Sequence, residues 1–133
     1  MEKRINAEER LQGFNRFVGI QIINAVPGRA EIALDVREEL TNPMKIVHGG
    51  ALFTLLDSAA GISAIYKENG NRPVVTQCAT VHYLKPATSG RITAIGTLVK
   101  DGHFTALSRA DVFDESGTLL ATGDFEIFYT DNI

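Results

Sequence analysis

The chain has 133 residues, of which 44% are hydrophobic and 22% charged. That length suits one domain over residues 1–133 with one core, burying roughly 65–70% of the surface its unfolded chain would expose, and the composition excludes a disordered chain. A formal net charge of −3 excludes the basic excess of a general nucleic-acid binder, and the lone Cys78 excludes an internal disulfide or a thiolate metal cluster, which points to a reducing, cytoplasmic setting.

Met1 to Arg10 holds a basic pair with no apolar run behind it, so it does not read as a secretory signal. Residues 7–17 read as a short amphipathic helix, with Leu11, Phe14 and Phe17 at three-residue spacing. Gly19 to Ala25 and Arg29 to Val36 read as strands joined at the turn pair Pro27-Gly28. In the second, Ala30, Ile32, Leu34 and Val36 alternate with Arg29, Glu31 and Asp35. Thr41 to Gly50 has no period and reads as a loop feeding a helix from about Gly50 to Lys67, stopped near Asn69-Gly70-Asn71. The apolar part of that helix, Gly50 to Ile65, is short for a membrane span and carries Asp57 at its middle, so it reads as a buried helix.

Four strands follow: Val74 to Lys85, stopped by Pro86; Arg91 to Lys100, followed by the two-residue hairpin signal Asp101-Gly102; His103 to Phe113, leading into the turn Asp114 to Gly117; and Leu119 to Tyr129. The last three are joined by loops too short for crossovers and predict an antiparallel meander. One long apolar helix and about six strands predict an α+β fold in which an antiparallel sheet wraps the helix.

Two features on the helix look chemical. Asp57 stands with no Lys, Arg, Glu or His between Gly50 and Ile65, and a carboxylate on such a helix is costly to bury unless paired or hydrogen-bonded. On its own helical stripe lie Gly50, Thr54, Gly61 and Ala64, all small, which lets a ligand or another backbone come close. The second feature is His48-Gly49-Gly50. Helix N-terminal amides lack intrahelical partners and sit at the positive end of the helix dipole, so they can polarise a carbonyl or hold an oxyanion. Gly49 and Asp57 are eight residues apart, about 12 Å along one helix. One carbonyl carbon cannot lie within about 3–3.5 Å of both. If both act on one substrate, a second copy of the chain supplies one of them, and the protein is a homo-oligomer whose minimum unit is a dimer.

The run Asn42, then His48-Gly49-Gly50-Ala51-Leu52-Phe53-Thr54-Leu55-Leu56-Asp57, resembles the hotdog-fold acyl-CoA thioesterases, in particular the phenylacetyl-CoA thioesterase (PaaI-type) branch. Pro73-Val74-Val75-Thr76 and Tyr83-Leu84-Lys85-Pro86-Ala87 are similar to that branch as well, and the likeness runs from about residue 14 to 129. The resemblance implies a hotdog fold and hydrolysis of an acyl-CoA to free acid and coenzyme A. It implies Asp57 as nucleophile or general base, Gly49 as the amide that polarises the thioester carbonyl, Asn42 as an assisting group, and Thr76, a threonine where the family also uses serine, placing water or substrate. His48 and Gly50 would shape the substrate-binding loop. The substrate would be a small molecule, an acyl-CoA, with no metal and no cofactor beyond the coenzyme A of the substrate itself, no nucleic acid and no membrane, and the assembly a homodimer or homotetramer.

Phe53, Ile62 and Tyr66 are candidate pocket walls, suited alike to aromatic and medium aliphatic acyl groups. Lys85, Arg91 and Lys100 are candidate partners for the coenzyme A phosphates. Cys78 reads as a small core residue, and His82 and His103 as structural or surface residues. Two other readings stand beside hydrolysis. A dehydratase or hydratase on acyl thioesters would need His48 as proton carrier. A non-catalytic acyl-CoA-binding module would release no thiol.

Overall fold

The computed structural model describes residues 12–132. The N-terminal helix is present as α1, Gly13–Val18; the rest of its expected span, 7–11, and the whole of Met1 to Arg10 lie outside the described residues. Strands β1 (Gln21–Val26) and β2 (Arg29–Asp35) follow, then a 3-10 turn at Glu38–Leu40, then the long helix α2 (Gly49–Ile65). Strands β3 (Val74–Tyr83), β4 (Arg91–Asp101), β5 (Thr105–Phe113) and β6 (Leu119–Tyr129) complete the order. The six strands form one antiparallel sheet in the order β1-β2-β4-β5-β6-β3, and β4-β5-β6 are the expected meander.

The alternating pattern in the strands places one face of the sheet against α2. Ile32 and Leu34 of β2, Ile92 and Ala94 of β4, Ala110 and Val112 of β5 and Phe125 and Ile127 of β6 are fully buried, as are Leu55, Leu56, Ala59 and Ala60 of α2. Each large apolar side chain so buried contributes on the order of 2 kcal/mol. The helix lies unusually close to the sheet at Gly96 of β4, where an added Cβ would sit 2.1 Å from the Ala59 carbonyl oxygen. Only a residue without a side chain allows that approach.

Three expectations are corrected. The helix is not buried all round, because Gly50 and Phe53 are exposed and Thr54, Asp57, Ser58 and Gly61 only half-buried, so a face of α2 stays open. Cys78 is exposed, not a core residue: among the described residues β3 is an edge strand that pairs with β6 alone and is open along most of its length. Glu126, its hydrogen-bonded cross-strand neighbour, raises the Cys78 thiol pKa. The hairpin turn is centred on His103-Phe104 instead of Asp101-Gly102. Asp101 belongs to β4, drawn into the strand end by Lys67 at 2.8 Å, and Gly102 N–H bonds to Thr105 O at 2.8 Å.

Candidate active site

The loop before α2 is built around Asn42. Thr41 and Val47 bridge antiparallel, Lys45 N–H donates to Asn42 O at 2.8 Å, and Asn42 N–H to Ile46 O at 2.9 Å. The Asn42 side chain closes the same turn, its Oδ1 accepting from Met44 N–H at 3.0 Å and Ile46 N–H at 3.4 Å. With Oδ1 engaged, what Asn42 offers to a ligand is its Nδ2 hydrogens.

His48 caps the helix. Its Nδ1 accepts from Gly50 N–H at 2.7 Å, which puts the ring proton of a neutral imidazole on Nε2. A Cβ on Gly50 would stand 3.0 Å from that same Nδ1, so glycine gives the ring its place. Ala51 and Leu52 N–H both bond to His48 O, at 2.9 and 3.3 Å. Of the four first-turn amides, Gly49 N–H alone makes no hydrogen bond among the described residues. The cap therefore leaves one donor at the positive end of α2 unspent. A cleft of about 360 Å³ opens there, lined by Asn42, Gly49, Leu52, Tyr83, Leu84 and Lys85 among others.

Asp57 lies two turns further along the open face of α2. Its Oδ1 accepts from Thr76 Oγ1 at 2.7 Å. Thr76 owes that direction to a β-bulge: it faces Ile127 on β6, Cys78 faces Glu126, and Gln77 is the extra residue between them. Asp57 and Thr76 border a second cleft, of about 490 Å³, with Asn15, Ser58, Gly61, Ile62 and Val74. Ser58 Oγ reaches Asn15 Oδ1 at 3.1 Å and ties α1 to this cleft. The two clefts share no lining residue.

Within one chain the sequence-derived residues thus fall into two groups: Asn42, His48, Gly49 and Gly50 at the helix start, and Asp57 with Thr76 on the neighbouring face. Among the other candidates, Lys85 lines the Gly49 cleft. Arg91 is committed to Asp35 at 2.9 Å and Gln21 at 3.0 Å, and it holds the Asp35 carboxyl below its ordinary pKa. Lys100 lines a different cleft, near His103 and Phe104. Ile62 walls the Asp57 cleft, and Phe53 stands on the open face with its ring 5.9 Å from that of Phe125. Tyr66 is corrected: it is buried and lines neither cleft, because the helix ends before it and its ring turns inward. Asn15 escaped the sequence reading, since a lone asparagine in a short helix carries no signal of a site. His82 and His103 are exposed, as expected. Among the described residues no three His, Cys, Asp or Glu side chains are grouped as metal ligands would be. No helix is long and apolar enough to cross a membrane among the same residues.

Residues 44–121, which include Gly49, Asp57 and Thr76, match the family described as the Thioesterase superfamily. The chain belongs to the thioesterase superfamily. Acyl-coenzyme A thioesterase 13 of Homo sapiens is 30% identical over 122 residues, covering 90% of this chain and 86% of its own. The crystal structure of zebra fish thioesterase superfamily member 2 is 28% identical with a TM-score of 0.79, covering 88% and 86%. A mutant of the phenylacetic acid degradation protein PaaI from Thermus thermophilus is 28% identical with a TM-score of 0.80, covering 87% and 97%. The hotdog fold, the likeness to the PaaI-type branch and the enzyme class, thioester hydrolase, follow for this chain as a member of the thioesterase superfamily.

Proposed function

We propose that this thioester hydrolase cleaves an acyl-CoA to free acid and coenzyme A at a site shared by two copies of the chain, Gly49 and Asn42 coming from one and Asp57 and Thr76 from the other. The observation that carries this is the pairing of one unspent helix amide with one lightly bonded carboxylate in separate clefts. They lie too far apart on one helix to meet the same carbonyl. In the shared site Asp57 serves as base or nucleophile. As base it takes a proton from water while the water oxygen bonds to the thioester carbon. The carbonyl oxygen gathers negative charge and is met by Gly49 N–H and Asn42 Nδ2. Collapse breaks the C–S bond, and the sulfur leaves with a proton as the coenzyme A thiol. Thr76 holds the Asp57 carboxylate in one orientation. No step calls for a metal or added cofactor.

The cap at His48 favours hydrolysis over hydration or dehydration, because Nδ1 is already occupied by Gly50 N–H. The aryl-acyl end of the acyl range is the one suggested by the PaaI likeness. The open length of β3 supports a homodimer, and with a second face a homotetramer, in a reducing cytoplasm, with acyl-CoA as partner rather than nucleic acid or membrane.

Release of free thiol from a panel of acyl-CoAs tests the activity; a protein that binds acyl-CoA and releases none is a binding module. Mixed oligomers test the sharing. Gly49→Pro deletes the amide at a helix position proline suits, and Asp57→Asn removes the carboxylate. Each variant alone is expected to be nearly inactive, while co-refolded mixtures regain activity. Mixtures that stay inactive, or an active monomer by solution mass, would overturn the shared site.

A further inference from the structure

Two of the glycines that α2 meets or contains are required by a close approach. Gly96 makes room for the helix backbone, and Gly50 makes room for the His48 ring. A Cβ on Gly49 would rest 3.6 Å from the Tyr83 ring, an ordinary contact, and that glycine is the first residue of the helix, beside the cap. Gly61 has no such reason within the described chain. It lies inside the helix, not at a cap, and its backbone does not adopt a positive φ. The nearest atom to an added Cβ is a methyl of Val74 at 3.9 Å, an ordinary contact. Glycine in a helix interior is destabilising relative to alanine, and here alanine would fit.

What the missing methyl leaves open is the Asp57 cleft. Gly61 is one turn beyond Asp57 on the same face and half-buried. Ile62, Ile65 and Val74 give the cleft around it apolar walls, beside the polar Asn15, Ser58 and Thr76. A thioester carbonyl held at Asp57 would send its acyl group along this wall.

We propose that Gly61 is a specificity-determining residue: its bare Cα is the floor on which the acyl group lies beside Asp57, and it sets how bulky that group can be. The proposal rests on the acyl-CoA reading above. An acyl branch or aryl ring crosses at the level of Gly61, whereas a short straight chain ends before it. A methyl there stabilises the fold and narrows the substrate range.

The experiment compares native protein, Gly61→Ala and Gly61→Val. Gly61→Ala is expected to melt about 2–4 °C higher. Thiol release is measured on acetyl-, butyryl-, octanoyl- and phenylacetyl-CoA. The kcat/KM of the bulkiest acyl-CoA that the native protein turns over is expected to fall roughly tenfold in Gly61→Ala and further in Gly61→Val, while that of the shortest stays within about twofold. Calorimetric binding of S-ethyl-CoA and S-(2-phenylethyl)-CoA, which have no carbonyl to cleave, should show the same split. If the native protein binds these thioethers with that split but releases no thiol, the hydrolase reading falls and the acyl floor stands. If the native protein is active and Gly61→Ala changes all substrates alike, or changes none, the acyl floor falls and the hydrolase reading stands. Dissociation of the oligomer by Gly61→Ala would assign the glycine to subunit contact and overturn the proposal too.

Discussion

Beyond the C-terminal end of α2, polar groups are bonded several times over. Lys67 reaches Asp101 at 2.8 Å and the Tyr129 hydroxyl at 2.7 Å, and that hydroxyl in turn donates to Asp101. Arg72 lies 3.8 Å over the Tyr129 ring, grips Asp131 at 2.8 and 2.9 Å, and donates to His103 O. At the start and middle of the same helix the pattern reverses. Gly49 N–H makes no hydrogen bond among the described residues, and Asp57 makes one. Both regions hold an aspartate beside a hydroxyl, so residue type does not tell them apart. Spare bonding capacity facing a cleft does: the first cluster ties α2, β4 and β6 together, and the second leaves groups able to meet a substrate.

The contrast breaks most easily at Asp57. Asp57→Asn keeps the shape and the Thr76 contact but loses the charge, and turnover is expected to fall about 10²–10⁴-fold with the melting temperature little changed. Near-native turnover would put Asp57 with the structural aspartates. Asn42→Asp is the next largest. It keeps the oxygen that holds the loop and loses the Nδ2 donor, so kcat should drop by up to about 10²–10³-fold; full activity would mean that Asn42 only shapes its turn. Thr76→Ala removes an orienting bond and should cost less than either, and a loss equal to that of Asp57→Asn would give Thr76 a direct part in the chemistry.

His48→Asn sharpens the comparison at the helix start. Asparagine is a strong N-cap and can accept from Gly50 N–H as the imidazole does. We expect thiol release to persist, lowered about tenfold by displacement of the Gly49 amide, or roughly 1.4 kcal/mol of barrier. Hydration of an enoyl-CoA by the native protein that vanishes in His48→Asn would favour the dehydratase instead.

The smallest effects belong to the other end. Tyr129→Phe should cost about 1–2 kcal/mol of stability and leave kcat alone, as read by denaturant melts beside turnover. The pH profile of stability carries the signature of the same cluster. Burial pushes Asp101 up, but its bonds to Lys67 and Tyr129 carry it below the usual carboxylate range; the hydrogen bonds from Arg72 lower Asp131. Their contribution is present above about pH 4 and lost as the pH falls below it. Tyr129 is raised by burial and by Asp101, so its contribution is lost as the pH rises beyond about 10. Asp131→Asn should flatten part of the acid limb, since Asp101 remains, and move the alkaline limb less, because Asp131 is the smallest of the influences that raise Tyr129.

Much of this was legible in the residues. The alternation in β2, the loop lengths of the meander, and the long apolar stretch of α2 carry periods that local physics enforces. The Gly49–Asp57 spacing is legible because a helix fixes its rise. The meeting of Asp57 with Thr76 is not contained in any local pattern, since it depends on a bulge whose position is set by the β3–β6 register. The exposure of Cys78 depends on β3 lying at an edge, a matter of sheet order that the strand's own composition does not encode. The turn at His103-Phe104 escaped the Asp101-Gly102 signal because Lys67, 34 residues away in sequence, claims Asp101.

Gly96 touches neither cleft, yet it governs how far α2 stands from the sheet. Ala59, the residue beneath which it lies, is two positions from Asp57. Any side chain at Gly96 must lift that stretch of helix against the Ala59 carbonyl, and Asp57 would travel with it while Thr76 stays anchored on β3. A displacement near 1 Å is enough to cost about 10²-fold in rate. Inherited variation in this chain would therefore be filtered hard at a residue no substrate ever meets, and a well-folded but slow Gly96→Ala protein would be its mark.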